Sequence, residues 1–309
     1  MKDPHYWGWP IAGYLFLGGL GGGITIISAC ADLLWKQGAL FALGNLVAAV
    51  CLGLGSGLLI FELGQPLRFW RVFSKQKAVI TFGAWILGLT ILTDAAYFSF
   101  YIPILPWGSW NELRQVLAAV NLLLGLGVVT YTGVLLGSLK SRPFWGTPAL
   151  PILFAVSGLS TGVAGQSLLA GAWSWSGSAD LIAQINGNLH ALDDVLLVFE
   201  LVILGLYLGM MRLSARTEAS RAASRWLNGS YSFTFWGGVI ALGLVGPLVL
   251  YLRDGPLTLF APIGVIAGGI FLRFLVVFSN DRPMLPGEEK YRSRLPQGDE
   301  PFLKPGLVK

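Results

Sequence analysis

What this sequence lacks first is charge. Only 12% of its 309 residues are Asp, Glu, Lys or Arg, about half of what a soluble globular protein carries. A disordered polypeptide would need still more polarity. Cysteine is nearly absent: Cys30 and Cys51, both in apolar runs, exclude a disulfide scaffold and any cluster built on several thiolates. Histidine is as scarce, with His5 and His190. His5 precedes the first apolar run, so a haem held by two His from facing helices is not expected. The 41 Gly follow no every-third-residue period, which excludes collagen.

What is abundant is apolar: 54% of the residues. Crossing the hydrocarbon core takes roughly 20 mainly apolar residues. Eight such stretches are present, at about 10–34, 38–62, 79–101, 113–138, 148–171, 188–211, 231–252 and 256–279. They are continuous and far longer than the roughly ten residues of a barrel strand, so they predict helices. The expected fold is all-α: a polytopic membrane protein of eight transmembrane helices over residues 1–279, followed by a polar, Pro-rich, extended tail over 280–309. The weakly charged start and long first run argue against a cleaved signal peptide. No soluble domain and no nucleic-acid partner are expected.

Eight spans put both ends of the polypeptide on one side, here called side N. Of the 21 Lys and Arg, only Lys36, Arg114 and Arg253 fall on the opposite side, and Arg273 lies inside the last span. The positive-inside rule therefore makes side N cytoplasmic, in a bacterial-type inner membrane.

Ionisable groups in hydrocarbon are costly and tend to face a bundle interior or water. The sixth span is richest in them, with His190, Asp193, Asp194 and Glu200. Positions 190, 193, 197 and 200 share one helical face, over roughly 15 Å of rise. Such a series can pass protons, and it can equally bind neighbouring helices. Glu62 ends the second span, Asp94 lies in the outer half of the third, Asp32 is near the end of the first, and Arg273 needs an acid or carbonyl partner. A proton-transfer role is assigned to the four sixth-span residues and Asp94.

Glycine is dense in the first span, where Gly18–Gly23 reads GGLGGG, and recurs at Gly53, Gly55 and Gly57. Gly lets helices approach closely in lipid and also clears room for a flat ring. No strand precedes the run, so it is not a dinucleotide loop. Most Trp fall near span ends, as an interfacial belt would. Tyr14 and Tyr131 differ: each is about one or two turns inside a span from side N, with a hydroxyl that wants a partner.

Three stretches together resemble a known family. They are YLFLGGLGGG at Tyr14–Gly23, ELGQPLRFWRVF at Glu62–Phe73 with TFGAWIL at Thr81–Leu87, and YTGVLLGSLKSRPFWGTPALPILFAVSGLSTG at Tyr131–Gly162. The pattern resembles the NrfD/PsrC family, the integral membrane subunits of polysulfide reductase-like complexes, over essentially the whole sequence. That resemblance implies a haem-free quinone-binding anchor (menaquinone or ubiquinone) with no iron–sulfur cluster of its own. It implies a four-cluster ferredoxin-like iron–sulfur partner docked on side N, often serving a molybdopterin catalytic subunit. It places quinone contacts on Tyr14 and Tyr131, where the polysulfide reductase member has His at the first position and Asn at that of Ile11. Glu62 and Arg68 join them in the expected pocket. In the family side N often lies outside the cytoplasm, against the charge rule. The expected function is thus a quinone/quinol-linked subunit of a respiratory oxidoreductase. The alternative is a secondary transporter or ion channel using the sixth-span acids.

Overall fold

The computed structural model describes residues 8–61, 79–139, 142–170, 179–214, 217–253 and 255–279. Eight helices among them are long and apolar enough to cross a membrane, and no strand occurs among the described residues. The spans are α1 (Trp9–Trp35), α2 (Gly38–Phe61), α3 (Val79–Ser99), α4 (Asn111–Gly137), α5 (Ala149–Ala170) and α6 (Ala179–Arg212). The seventh joins a π-helical segment, Thr234–Val245, to α8 (Gly246–Leu252); the eighth is α9 (Ala261–Phe278), entered through a short 3-10 turn. The 280–309 tail, like Glu62 and Arg68, lies outside the described residues.

The helices form two bundles, α1–α4 and α5–α9, joined where α5 and α9 pack on α1. The two most buried spans, α1 and α5, are also the two least hydrophobic. Lipid needs grease on the outside, while an enclosed helix can carry small and polar residues. The glycines of α1 face different neighbours in turn. A Cβ on Gly18 would meet Thr132 of α4, one on Gly21 would meet Leu52 of α2, and one on Gly23 would stand 2.1 Å from the Gly158 carbonyl oxygen of α5. On α5, Gly162 backs onto the same turn, 2.5 Å from the Gly23 Cα by the same measure. The glycine run therefore serves close packing around nearly the whole helix. A Cβ on Gly19 would lie 2.9 Å from the Arg273 guanidinium of α9, so that glycine makes room for a cation.

Three features differ from the sequence expectation. Helix α6 begins nine residues before the expected 188 and runs 34 residues, roughly 50 Å, well over the thickness of a hydrocarbon core. Its first turns carry Asp180, Gln184, Asn186 and Asn188, polar enough to end an apolar window without ending the helix. The seventh span changes its hydrogen-bond register at Gly246–Pro247: Pro247 has no N–H to continue the ladder, and the wider π turns precede it. A short helix on side N, α7 (Thr217–Asn228), adds to the eight expected. Ala219, Ala222, Ala223 and Trp226 are buried at helical spacing, while Arg221 is exposed.

Helix α7 is locked down by an aromatic knot. The Trp226 indole donates to Ser279 Oγ at 2.6 Å, Trp145 donates to the Val276 carbonyl at 2.7 Å, and Tyr207 donates to the Phe144 carbonyl at 2.5 Å. Phe144 stacks edge-on against both Tyr207 and Trp226. Buried Trp and Tyr need such acceptors. The Phe144–Trp145 pair of the third family-like stretch thus fastens side N of the second bundle.

Candidate functional site

Tyr14 and Tyr131 are brought together on side N of the first bundle. Tyr14 is fully buried and Tyr131 is 3% exposed. The two hydroxyls lie close enough to interact with each other, yet neither completes a hydrogen bond of good geometry among the described residues. Most buried polar groups are satisfied, so two adjacent orphans call for an explanation. The slot around Tyr131 is cut by a glycine: a Cβ on Gly83 of α3 would stand 1.8 Å from the ring's Cζ and 2.2 Å from its hydroxyl. Gly83 belongs to the TFGAWIL stretch, and nothing in that stretch alone gives it this role. Gly55 leaves ordinary contact distance to Tyr14. Ile11, Leu52, Leu87 and Leu135 belong with both tyrosines to one buried apolar cluster. Helices α2 and α3 end and begin nearby at Phe61 and Val79.

A second polar centre lies roughly 16 Å further along α1 from Tyr14. Asp94 of α3, fully buried, gathers one side chain from each of the other three helices of its bundle. Its Oδ2 is 2.7 Å from Thr25 Oγ1, and its Oδ1 accepts from Asn45 at 2.8 Å and from Asn121 at 3.2 Å. Thr25 Oγ1 also sits 3.0 Å from the Gly21 carbonyl. A hydroxyl has one proton. If Thr25 gives it to Asp94, the carboxylate is ionised; if Thr25 gives it to Gly21, the Asp94 carboxyl carries its own proton and donates it to Thr25. The same heavy-atom arrangement fits both protonation states. The Asn45 and Asn121 carbonyl oxygens remain unpartnered.

Beyond it, at the opposite membrane face, Asp32 pairs with Arg114 at 2.6 Å and accepts from Tyr97 at 2.8 Å. Tyr101 closes the group, 3.1 Å from the Tyr97 hydroxyl and 2.5 Å from Arg114. Burial pushes the Tyr101 phenol up, and the carboxylate of Asp32 adds to this while Arg114 opposes it. The sequence placed Asp32 and Arg114 on that face but gave no sign that they pair.

The sixth-span face is as expected from its periodicity. Asp193, Leu197 and Glu200 are buried and His190 is half-buried. Opposite them runs a row of α5 hydroxyls: Ser167 bonds His190 at 3.1 Å, Ser160 donates to Asp193 at 2.7 Å, and Ser157 stands between Glu200 and Arg273. Tyr251 of α8 donates to Asp193 at 3.0 Å and stacks on His190. Asp194, half-buried on the adjoining face, adds to the field at Asp193 and Tyr251. Arg273 finds its acceptors in Ser157 and the Gly269 and Phe154 carbonyls, with the Phe154 ring beneath it. This ladder ends at Gly19, five residues from Tyr14. Two polar lines thus approach the tyrosine pair, one in each bundle. The line through Asp94 is broken by the apolar layer of Leu52, Leu87 and Val128.

No group of three or more His, Cys, Asp or Glu suited to a metal ion occurs among the described residues. Cys30 and Cys51 are separate, half-buried free thiols.

Comparison with known proteins agrees with this architecture. The sequence is 32% identical to the C component of the polysulfide reductase of Wolinella succinogenes over 303 residues, 88% of this protein and 93% of that one. It is 27% identical to the NrfD protein of Escherichia coli over 302 residues, covering 88% and 94%. The C component of the selenate reductase of Mesobacillus selenatarsenatis is 24% identical over 324 residues, covering 88% and 73%. The family model described as polysulphide reductase, NrfD, matches residues 1–280. By that match the protein belongs to the NrfD family of multi-pass membrane proteins.

Proposed function

We propose that this protein is the quinone- and quinol-binding membrane subunit of a respiratory reductase complex, exchanging electrons with an iron–sulfur partner on side N. Relatives named as the C components of polysulfide and selenate reductases support a place in a multi-subunit enzyme. The observation that carries the quinone reading is the pair of buried, adjacent, unpartnered phenol hydroxyls, Tyr14 and Tyr131. A quinone is flat and apolar with a carbonyl oxygen at each end, so it asks for an apolar slot and one or two donors. The apolar cluster that includes Ile11, Leu52 and Leu87, together with the two hydroxyls, suits that demand. When bound, the quinone supplies a two-electron, two-proton couple.

The protein's own residues then have defined tasks. Tyr14 and Tyr131 donate hydrogen bonds to the ligand's oxygens and orient it, and Gly83 holds the Tyr131 ring in register. Because the pair lies about two turns inside side N, a partner cluster docked there comes within electron-transfer reach. Proton supply falls to groups that accept and release protons: Asp94, which its cluster can hold in either state, and the His190–Asp193–Glu200 ladder ending beside Gly19. Water carries the proton across the apolar layer.

The test is a Tyr14→Phe, Tyr131→Phe double variant in the purified complex. Removing buried hydroxyls that complete no well-formed hydrogen bond among the described residues should change thermal stability by less than about 1 kcal/mol. Each lost bond to a ligand costs roughly 0.5–1.5 kcal/mol, so quinol turnover and retained quinone should fall about thirtyfold together. Normal turnover in the double variant removes the pocket. The two polar lines also suit a secondary transporter or channel; solute or ion flux by the lone polypeptide in liposomes, with no quinone retained, would favour that reading.

A further inference from the structure

The outer surface of the second bundle holds a groove of about 310 Å³ between α6 and the π-helical start of the seventh span. Its floor is Leu204, Leu208 and Phe235, all buried. Two glycines of α6, Gly205 and Gly209, open it. Some glycines of this protein mark backbone contact, as at Gly243 and Gly268, where a Cβ would stand 2.5 Å or less from the facing Cα. At Gly205 and Gly209 nothing lies within 4 Å of the missing Cβ. These two have no packing role, and their absent side chains leave a channel facing lipid.

The groove is polar only at its mouth. Along α6 it runs from Leu201 to Arg212, roughly 16 Å, about half of a hydrocarbon core and so one leaflet deep. Arg212 ends α6 on side N, exposed, with no carboxylate or other partner among the described residues. The exposed Arg221 of α7 adds positive charge on the same side, and Trp236, half exposed, lies on the groove wall. A partner's membrane helix would cover both leaflets, and a quinone head at the mouth would meet only the one guanidinium, a full charge that a phosphate complements and a neutral carbonyl does not. An apolar channel one leaflet long under an exposed guanidinium matches one acyl chain below one phosphate. Basic pockets between membrane helices are known to select anionic headgroups.

We infer that this groove is a binding site for an anionic phospholipid, its phosphate on Arg212 and one acyl chain along Leu204, Leu208, Gly205 and Gly209.

Native mass spectrometry of the full-length protein, reconstituted in phosphatidylcholine with or without phosphatidylglycerol and then extracted in mild detergent, tests this. One phosphatidylglycerol per protein should be retained, about tenfold over phosphatidylcholine. Arg212→Gln should bring that preference to within twofold. Lys36→Gln, an exposed cation removed from the opposite side, should leave it intact. Gly205→Leu with Gly209→Leu should abolish retention of either lipid while thermal unfolding in detergent stays that of the parent. Equal retention by Arg212→Gln, or an equal loss in Lys36→Gln, overturns the headgroup assignment. Undiminished lipid in the double leucine variant, or loss of quinone in place of lipid, overturns the groove. Quinol turnover is read in parallel, and its failure in the tyrosine variants leaves this outcome untouched.

Discussion

Placing a single methyl group against the Tyr131 ring should silence the quinone pocket without removing either hydroxyl. In Gly83→Ala the new Cβ would stand 1.8 Å from the Tyr131 Cζ. Ordinary contact begins near 3.4 Å, so the ring must retreat by about 1.6 Å. A displacement of about 1 Å in a positioning group can cost roughly a hundredfold in rate, and turnover with a quinol donor should fall at least that far. Overpacking adds a stability loss of about 1–3 kcal/mol, so the variant is compared at a temperature where circular dichroism shows it folded. Gly53→Ala and Gly57→Ala are the controls. Nothing lies within 4 Å of a Cβ at either site, and Ala favours a helix over Gly by up to about 1 kcal/mol, so both should be neutral or stabilising with full turnover. The decisive comparison uses Tyr131→Phe as background. If Gly83→Ala acts by moving the Tyr131 hydroxyl, it has little left to remove there, and the two losses will not multiply. Full turnover by folded Gly83→Ala, or losses that multiply in the double variant, would refute the reasoning.

Two further outcomes follow from the first bundle. Asp94→Asn mimics the protonated carboxyl, its Oδ1 still accepting from Asn45 and Asn121 and its amide donating to Thr25, which turns its own proton to the Gly21 carbonyl; thermal unfolding should move by less than about 1 kcal/mol, with quinone still retained and quinol turnover slowed. Arg114→Gln strands Asp32, whose side chain is fully buried against 16% exposure for Arg114. Leaving a buried charge unpaired costs about 3–5 kcal/mol, and partial solvent access at Arg114 puts the expected loss at the lower end; adding Asp32→Asn should restore most of it in the same denaturation assay.

Much of the scaffold could be read in advance because hydropathy is a long-range average that survives local error. The eight spans fall within a few residues of expectation except at the start of α6, where polar first turns lower the average while the backbone stays helical. The face shared by His190, Asp193 and Glu200 follows from helical periodicity alone, and it is correct. Pairings across helices did not follow. Nothing local to Asp94 names Thr25, Asn45 or Asn121, and nothing local to Asp32 names Arg114, since each contact depends on how α1 to α4 are rotated. Arg273 announced a need for acceptors but not their source on α5. Gly83 lay inside a quoted motif, yet a glycine's role is set by what fills the space beside it. Helix α7 did carry a signal: Ala219, Ala222, Ala223 and Trp226 repeat at steps of three and four, and a short window over that connection finds it. Glu62 and Arg68, expected in the pocket, lie outside the described residues.

The enclosure of α1 bears on how the polypeptide is made. Of the eight spans α1 is made before the helices that later enclose it, so it enters the bilayer with Thr25, Ser28, Asp32 and the five glycines of its GGLGGG run facing tails in place of neighbours. Its permanent surroundings are complete only when α9, the eighth span, arrives with Arg273 to occupy the space beside Gly19. Biogenesis therefore proceeds from the inside outward, and polypeptides truncated before α9 should be held by insertion machinery or degraded, whereas a break in the connection between bundles should still allow the halves to reassemble around the same central rod.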